Sequence, residues 1–194
     1  MNINTQVPTI YGGMAEKLSG LWSKQIQMVK EKFGSELESV FTPSDYPTDV
    51  PILFIKKDSI VEVLRFFKEE KDFDYQFLAD LTATDEQTEF RFEIVCQLFS
   101  LSTKSRIRLK VKVRESEEVP TVTGLWKAAN WLEREVFDMF GVRFAGHPDL
   151  RRILMDERWQ GHPLRKDYPL RGYQIFPTAQ EINPALLEEI KKDH

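Results

Sequence analysis

The chain has 194 residues, enough for one domain with a sizeable core, and its 41% hydrophobic and 30% charged residues are ordinary for a globular protein. A net charge of −4 argues against a nucleic-acid binder, since such proteins carry a basic excess. One cysteine, Cys96, excludes an internal disulfide and any thiolate cage for zinc or an iron–sulfur cluster built from this chain alone.

Residues 1–13 read as a flexible lead-in without the pattern of a secretory or organelle leader, and no apolar run approaches the roughly 18 residues of a membrane span. The expectation is a protein that stays on the side of the membrane where it is made and meets the membrane only through a partner. From Met14, the positions Leu18, Trp22, Ile26, Val29 and Phe33 recur at helical spacing and predict an amphipathic helix that stops near Gly34. Leu37 to Phe41 is a short candidate strand, followed by a turn with Pro43, Pro47 and Pro51. Ile52 to Ile55 is a second strand, and Asp58 or Ser59 caps a helix whose buried stripe is Ile60, Val63, Leu64 and Phe67.

Phe73, Tyr75 and Phe77 alternate with polar residues, which predicts a strand from Tyr75 to Ala83 entering a turn at Thr84 to Gln87. Glu89 to Leu98 and Arg106 to Val113 alternate cleanly and predict an antiparallel pair with one buried face. The other face carries Arg106, Arg108, Lys110 and Lys112. That row reads as a solvated face or partner contact in preference to a nucleic-acid or lipid surface.

Beyond Pro120, Thr123 is the expected cap of a helix from Gly124 to Phe140 with Leu125, Ala129, Leu132, Val136 and Met139 as its main stripe. Trp126, Trp131, Phe137 and Phe140 spread apolar surface nearly all round it, and a helix apolar on most sides is covered on most sides. One side would lie on this chain's own sheet and the other would be free for a second protein. The elements sum to an α+β fold, a two-layer sandwich of helices on one mixed β-sheet over residues 14–140, with a long irregular C-terminal arm over 141–194.

The arm loses all periodicity yet stays rich in aromatic residues and arginine. Between Gly141 and Arg171 seven basic residues face four acids, a net +3, while the rest of the chain carries −7. Six of the seven are arginines, whose rigid fork suits carboxylates and interfaces. Pro148, Pro163, Pro169 and Pro177 limit the freedom lost on docking. The arm is therefore expected to dock on a neighbouring protein.

Candidate chemistry is thin. Glu133 and Glu135 stand about 200° apart on a helix and cannot share a substrate, whereas Arg134 and Asp138 are spaced to pair as a partly buried ion pair. His147 and His162 each precede a proline and lack a short ligand spacing, so they read as structural hydrogen-bond donors rather than metal ligands. Neither a phosphate-binding glycine loop nor a G-x-S-x-G element is present. The expectation is a chain with no catalytic, cofactor or metal site of its own.

Glu133-Arg134-Glu135, Asp138, Phe140-Gly141, His147-Pro148-Asp149, Arg151-Arg152-Ile153-Leu154 and the run from Gly161 to Pro169 together form a long, ordered signature. It resembles the 30-kilodalton, C-type subunit of proton-translocating NADH:quinone oxidoreductase, respiratory complex I. Asp80-Leu81-Thr82-Ala83 with Asp85, and the hairpin from Leu98 to Val113, also resemble that family, so that the likeness covers about residues 35–171. The resemblance implies a non-catalytic structural subunit of the hydrophilic arm, on the cytoplasmic face of a bacterial inner membrane. NADH, FMN, iron–sulfur clusters and quinone would belong to other subunits. The implied partners are the 49-kilodalton, D-type quinone-site subunit and the iron–sulfur subunits B and I. The partner interface implied is Glu133, Arg134, Glu135, Asp138, His147, Arg151, Arg152, His162, Arg165, Lys166 and Tyr168. Two other readings stay open: the equivalent subunit of a membrane-bound hydrogenase-type complex, and a nucleic-acid-binding module.

Overall fold

A computed structural model describes residues 12–170, with side chains from residue 18 onward. Helix α1 (Gly12–Phe33) buries Ile26, Val29 and Phe33 of the predicted stripe, while Leu18 and Trp22 are half-buried. The expected lead-in is therefore shorter by two residues, and its remainder lies outside the described residues, as does the tail from residue 171. Strands β1 (Leu37–Phe41) and β2 (Ile52–Ile55) follow as predicted and pair antiparallel. Helix α2 (Ile60–Glu69) buries Ile60, Val63, Leu64 and Phe67. The expected side-chain cap is absent from α2, because the Ser59 hydroxyl donates to Glu36 Oε2 at 2.7 Å instead.

Strand β3 (Phe77–Asp85) begins and ends two residues later than the alternation suggests. Asp74, at φ +48°, turns the chain before it, and Phe73 and Tyr75 are buried against α2 rather than in a strand. Their alternation records burial, not pleat. Strand β4 (Phe92–Ser100) likewise starts three residues late, because Glu86 N–H donates to Arg91 O across a tight loop. Strand β5 (Ser105–Val113) pairs with β4 from Phe92↔Val113 to Ser100↔Ser105, the hairpin that the sequence predicts.

The five strands form one mixed sheet in the order β1-β2-β5-β4-β3, with β2 and β5 parallel. Helix α2 therefore carries the chain from β2 across the sheet to the far edge. A hairpin could not make that connection, whereas a helical crossover can. Alternate residues of β4 and β5 bury Phe92, Ile94, Cys96 and Leu98 with Ile107, Leu109, Val111 and Val113. They share one core with the buried faces of α1 and α2.

The last part of the domain departs from the expected pattern. Strand β6 (Glu118–Pro120) is followed by open turns, and regular helix α3 (Ala129–Phe140) starts five residues later than predicted. Thr123 caps nothing here; its hydroxyl bonds that of Thr121, and the turns close through Leu125 N–H to Val122 O and Ala129 N–H to Trp126 O. Strand β7 (Arg143–Ala145) returns to pair parallel with β6, a second small sheet beside the main one.

One polar chain crosses the core. Tyr75 O–H donates to Gln25 Oε1 at 3.0 Å and accepts from Ser105 Oγ at 3.0 Å, while Gln25 Nε2 reaches Asp72 O at 2.7 Å. Burial pushes the phenol up to about 12, so it remains a donor at any ordinary pH. Tyr75→Phe should cost about 1–3 kcal/mol in urea unfolding, because it leaves the buried Gln25 carbonyl and Ser105 hydroxyl short of a partner.

Candidate docking site of the third helix and the arm

Helix α3 ends at Gly141, which takes φ +78° and returns its N–H to Phe137 O. A helix leaves its last carbonyls without intrahelical donors. Here the arm supplies them. His162 Nδ1 and Arg152 Nη1 lie 2.9 and 3.3 Å from Asp138 O, Leu164 N–H donates to Met139 O at 3.1 Å, and Arg165 Nε donates to Phe140 O at 2.6 Å. The two guanidinium charges also sit at the negative end of the helix dipole.

The helix reciprocates through one side chain. Asp138 is fully buried, and its Oδ2 accepts three successive backbone N–H groups, from Ile153 at 3.1 Å and from Leu154 and Met155 at 2.8 Å. Its Oδ1 accepts from Arg152 Nη1 at 2.5 Å. Burial alone would raise this carboxyl, but the three N–H donors and Arg152 outweigh it and hold the group below the ordinary aspartate range. The expected Arg134–Asp138 pair is not made. Arg134 instead donates to the carbonyls of Arg151 and Arg152 at 3.1 and 3.0 Å, with its guanidinium 5.2 Å from the Trp131 ring centroid.

A second buried acid holds the far end of the described arm. Asp85, 4% exposed at the end of β3, accepts from Lys166 N–H at 2.9 Å and from Arg91. Arg91 also pairs Asp167 at 2.7 Å and Glu115 at 2.8 Å, and Glu115 in turn accepts from Arg165 at 2.6 Å. Sequence reasoning misses Arg91 and Glu115. Their signal is weak, an arginine and a glutamate in separate loops, and only the fold brings them together.

Glu133 lies on the opposite side of α3, fully buried, with Val122 N–H at 2.7 Å and Thr121 Oγ1 at 2.5 Å from its carboxylate. Burial pushes it up to about 7, only partly offset by those two donors. It ties α3 to the end of β6. Glu135, by contrast, is exposed. His147 accepts from Asp149 N–H at Nδ1, which leaves Nε2 to donate to Asn130 O at 3.1 Å. His162 packs edge-on to Phe137 and fills the space where a Gly141 Cβ would stand, 2.5 Å from its Nε2. Burial, with help from Arg165 and Arg152, keeps that imidazole below the usual histidine range.

Arg151 is exposed and pairs Asp149 at 3.0 Å, the Lys166 side chain is exposed, and Tyr168 stacks on Trp159 with ring planes 29° apart. Around these groups Trp131, Leu154 and Leu164 stand 61%, 61% and 54% exposed. Chemically the arrangement is a set of fastenings with an apolar rim. Its buried charged groups are committed to backbone partners and to one another, and among the described residues no group of three metal-ligating side chains is assembled.

An α+β sheet domain whose C-terminal arm is fastened to its own helix, with an apolar rim left outside, has the makings of an assembly subunit. Residues 53–174 match the family described as "Respiratory-chain NADH dehydrogenase, 30 Kd subunit". The chain belongs to that family. It is 45% identical to a C-type subunit of NADH-quinone oxidoreductase from Rhizobium etli, over 80% of this chain and 79% of that one. It is 42% identical to the corresponding C-type subunit of NADH-quinone oxidoreductase from Geotalea uraniireducens, over 83% and 96% respectively. A chain from the membrane-bound sulfane sulfur reductase, an archaeal respiratory membrane complex, shares the fold with a TM-score of 0.63 at 23% identity, covering 88% of this chain and 91% of that chain.

Two outcomes follow from the buried acids. Asp138→Ala strands three N–H groups and Arg152, so it should cost about 3 kcal/mol or more and expose the arm to protease. Because its folded value is depressed, the stabilisation by Asp138 is complete above the unfolded value near ~4 and is lost as pH falls through the folded one. Glu133 has the opposite sign. Its raised folded value makes the native state hold the extra proton, so stability falls as pH rises from 4.5 to about 7. Glu133→Gln should remove that decline, a gain on the order of 3 kcal/mol at pH 8 relative to the parent in denaturant titrations.

Proposed function

We propose that this chain is a non-catalytic structural subunit of an NADH:quinone oxidoreductase, in which electron transfer from NADH to quinone is coupled to proton translocation. The observation that carries the reading is the combination of family membership with an apolar rim of Trp131, Leu154 and Leu164 around an arm already fastened to its own helix. Exposed apolar side chains gathered beside arginines fit a protein partner better than solvent. The partner face comprises this rim with Glu135, Arg151, Lys166 and Tyr168. Arg134, Asp138, Arg152, His162 and Arg165 shape it from behind, and Glu133 holds the helix from the side of β6.

The partners are the D-type quinone-site subunit and the iron–sulfur subunits B and I, and the flavin, clusters and quinone sit on those and other subunits. The chain reaches the cytoplasmic face of the membrane as a peripheral component, which accords with described helices none of which is long and apolar enough to cross a bilayer. The hydrogenase-type alternative shares the architecture, but the relatives above carry NADH-quinone oxidoreductase names. The nucleic-acid reading loses half of its basic row on the strand face. Lys110 is paired with Glu93 at 2.7 Å and Lys112 with Glu38 at 3.5 Å.

Leu154→Glu combined with Leu164→Glu should reduce copurification with the D-type partner by about tenfold or more while leaving the melting temperature of the isolated chain unchanged. Full assembly of this variant, or NADH- or quinone-dependent turnover by the isolated chain, would overturn the reading.

A further inference from the structure

The face of the main sheet turned away from α1 and α2 is not uniform. At one end the basic row of β5 is neutralised within the chain, by Glu93 and Glu38 as described. At the other end Arg106 lacks that compensation and Arg108 has only a long, exposed partner. Arg106 has no carboxylate within salt-bridge distance among the described residues and lies 4.7 Å over the Phe99 ring. Arg108 pairs with Asp49 at 3.6 Å, and that aspartate side chain is 79% exposed. Its Nε is buried and has no hydrogen-bond partner. A buried guanidinium N–H without an acceptor costs free energy, which the Arg108 side chain recovers by turning toward an acceptor placed in the cavity it borders.

These groups border a cavity of about 280 Å³ lined by Asp49, Ala79, Asp80, Gln97, Arg106 and Arg108. Strand register explains the arrangement. Asp80 stands opposite Gln97 and Gln97 opposite Arg108, which gives one polar row across the sheet. Phe77 stands opposite Phe99 and Phe99 opposite Arg106, which gives an aromatic row beside it, with Phe77 48% exposed.

The geometry points to a second docking surface on this face, built to receive a carboxylate side chain of a partner protein between Arg106 and Arg108. Two planar forks offer donors for one carboxylate, and the neighbouring Phe77 offers a stacking face for an apolar residue next to it. Asp49 and Asp80 stand at the two ends of the polar row. They confine the site to a single anionic group held between the two forks, so a run of phosphates on a nucleic-acid backbone or an anionic lipid surface is repelled, whereas the N–H or lysine groups flanking one acidic side chain in a polypeptide meet them favourably. The surface is distinct from the rim of Trp131, Leu154 and Leu164. The inference rests on the proposed function only in that a multisubunit complex supplies the partner.

The test uses the assembled complex in membranes. Arg106→Glu combined with Arg108→Glu should lower retention of this chain in the complex by about tenfold at moderate salt, with the parent melting temperature kept by the isolated variant. Arg106→Lys combined with Arg108→Lys should retain part of the parent behaviour. In parallel, a photoreactive benzoylphenylalanine at Phe77 should form an adduct with a partner polypeptide, mapping within a few residues of an Asp or Glu. Normal retention of the charge-reversed variant, an adduct with lipid or nucleic acid, or no adduct in the intact complex would overturn the inference. If the Leu154 and Leu164 variant is lost from the complex while the charge-reversed variant is kept, this second surface fails and the proposed function stands. Should even the parent chain fail to assemble, both fall.

Discussion

The structure depends on an exchange of hydrogen bonds between the end of one helix and the arm that follows it. Helix α3 offers carbonyls at Asp138, Met139 and Phe140, and the arm returns an imidazole, a backbone N–H and guanidinium groups to them. In the other direction, one carboxylate takes three consecutive N–H groups from the arm. Neither half is stable in isolation, since unpaired buried groups of either kind carry a large penalty. Once exchanged, they make a backbone without regular secondary structure behave as part of the fold. The glycine after the helix is needed for the same reason, because only a residue without Cβ both takes φ +78° comfortably and leaves room for the His162 ring.

Much of the domain was legible because burial follows simple periods. The α2 stripe of Ile60, Val63, Leu64 and Phe67 and the alternating Ile107, Leu109, Val111 and Val113 appear in the structure as the spacing predicts. Errors gather where period and chain direction part company. Phe73 and Tyr75 imitate a strand while a turn at Asp74 places both beneath α2. The β6–β7 pair leaves no trace in the sequence pattern because three-residue strands have no measurable period. The start of α3 differs from the pattern because residues 124–128 continue the helical spacing through turns stitched by local bonds.

The docking site was half legible. Its residues were identifiable as a set, but their pairing was not, since Arg134 and Asp138 look like natural partners four positions apart and yet each prefers backbone groups of the arm. An ion pair on a helix is worth only tenths of a kcal/mol, while three N–H bonds to a buried carboxylate far exceed it. The arm therefore belongs to this chain first, and the proposed partner face is only what its outer rim leaves exposed. Composition alone suggested that so much arginine and aromatic surface had to be covered from outside.

The sheet order also carries a consequence for synthesis. Strand β2 lies beside β5, which emerges from the ribosome only after β3 and β4 have been made, and β5 itself is a central strand held by β4. The β1–β2 hairpin thus waits with an unpaired edge until the β3–β4–β5 meander has formed. Long-range parallel pairing of this kind is slow and leaves strand edges exposed meanwhile. The arm's anchors, Asp85 on β3 and Asp138 on α3, are both in place only after the β3–β4–β5 meander and α3 have formed, so its docking follows completion of that half of the sheet. A chain whose partner surface is shaped by the docked arm would become fit for assembly only once its last-made helix and the meander beneath it are folded.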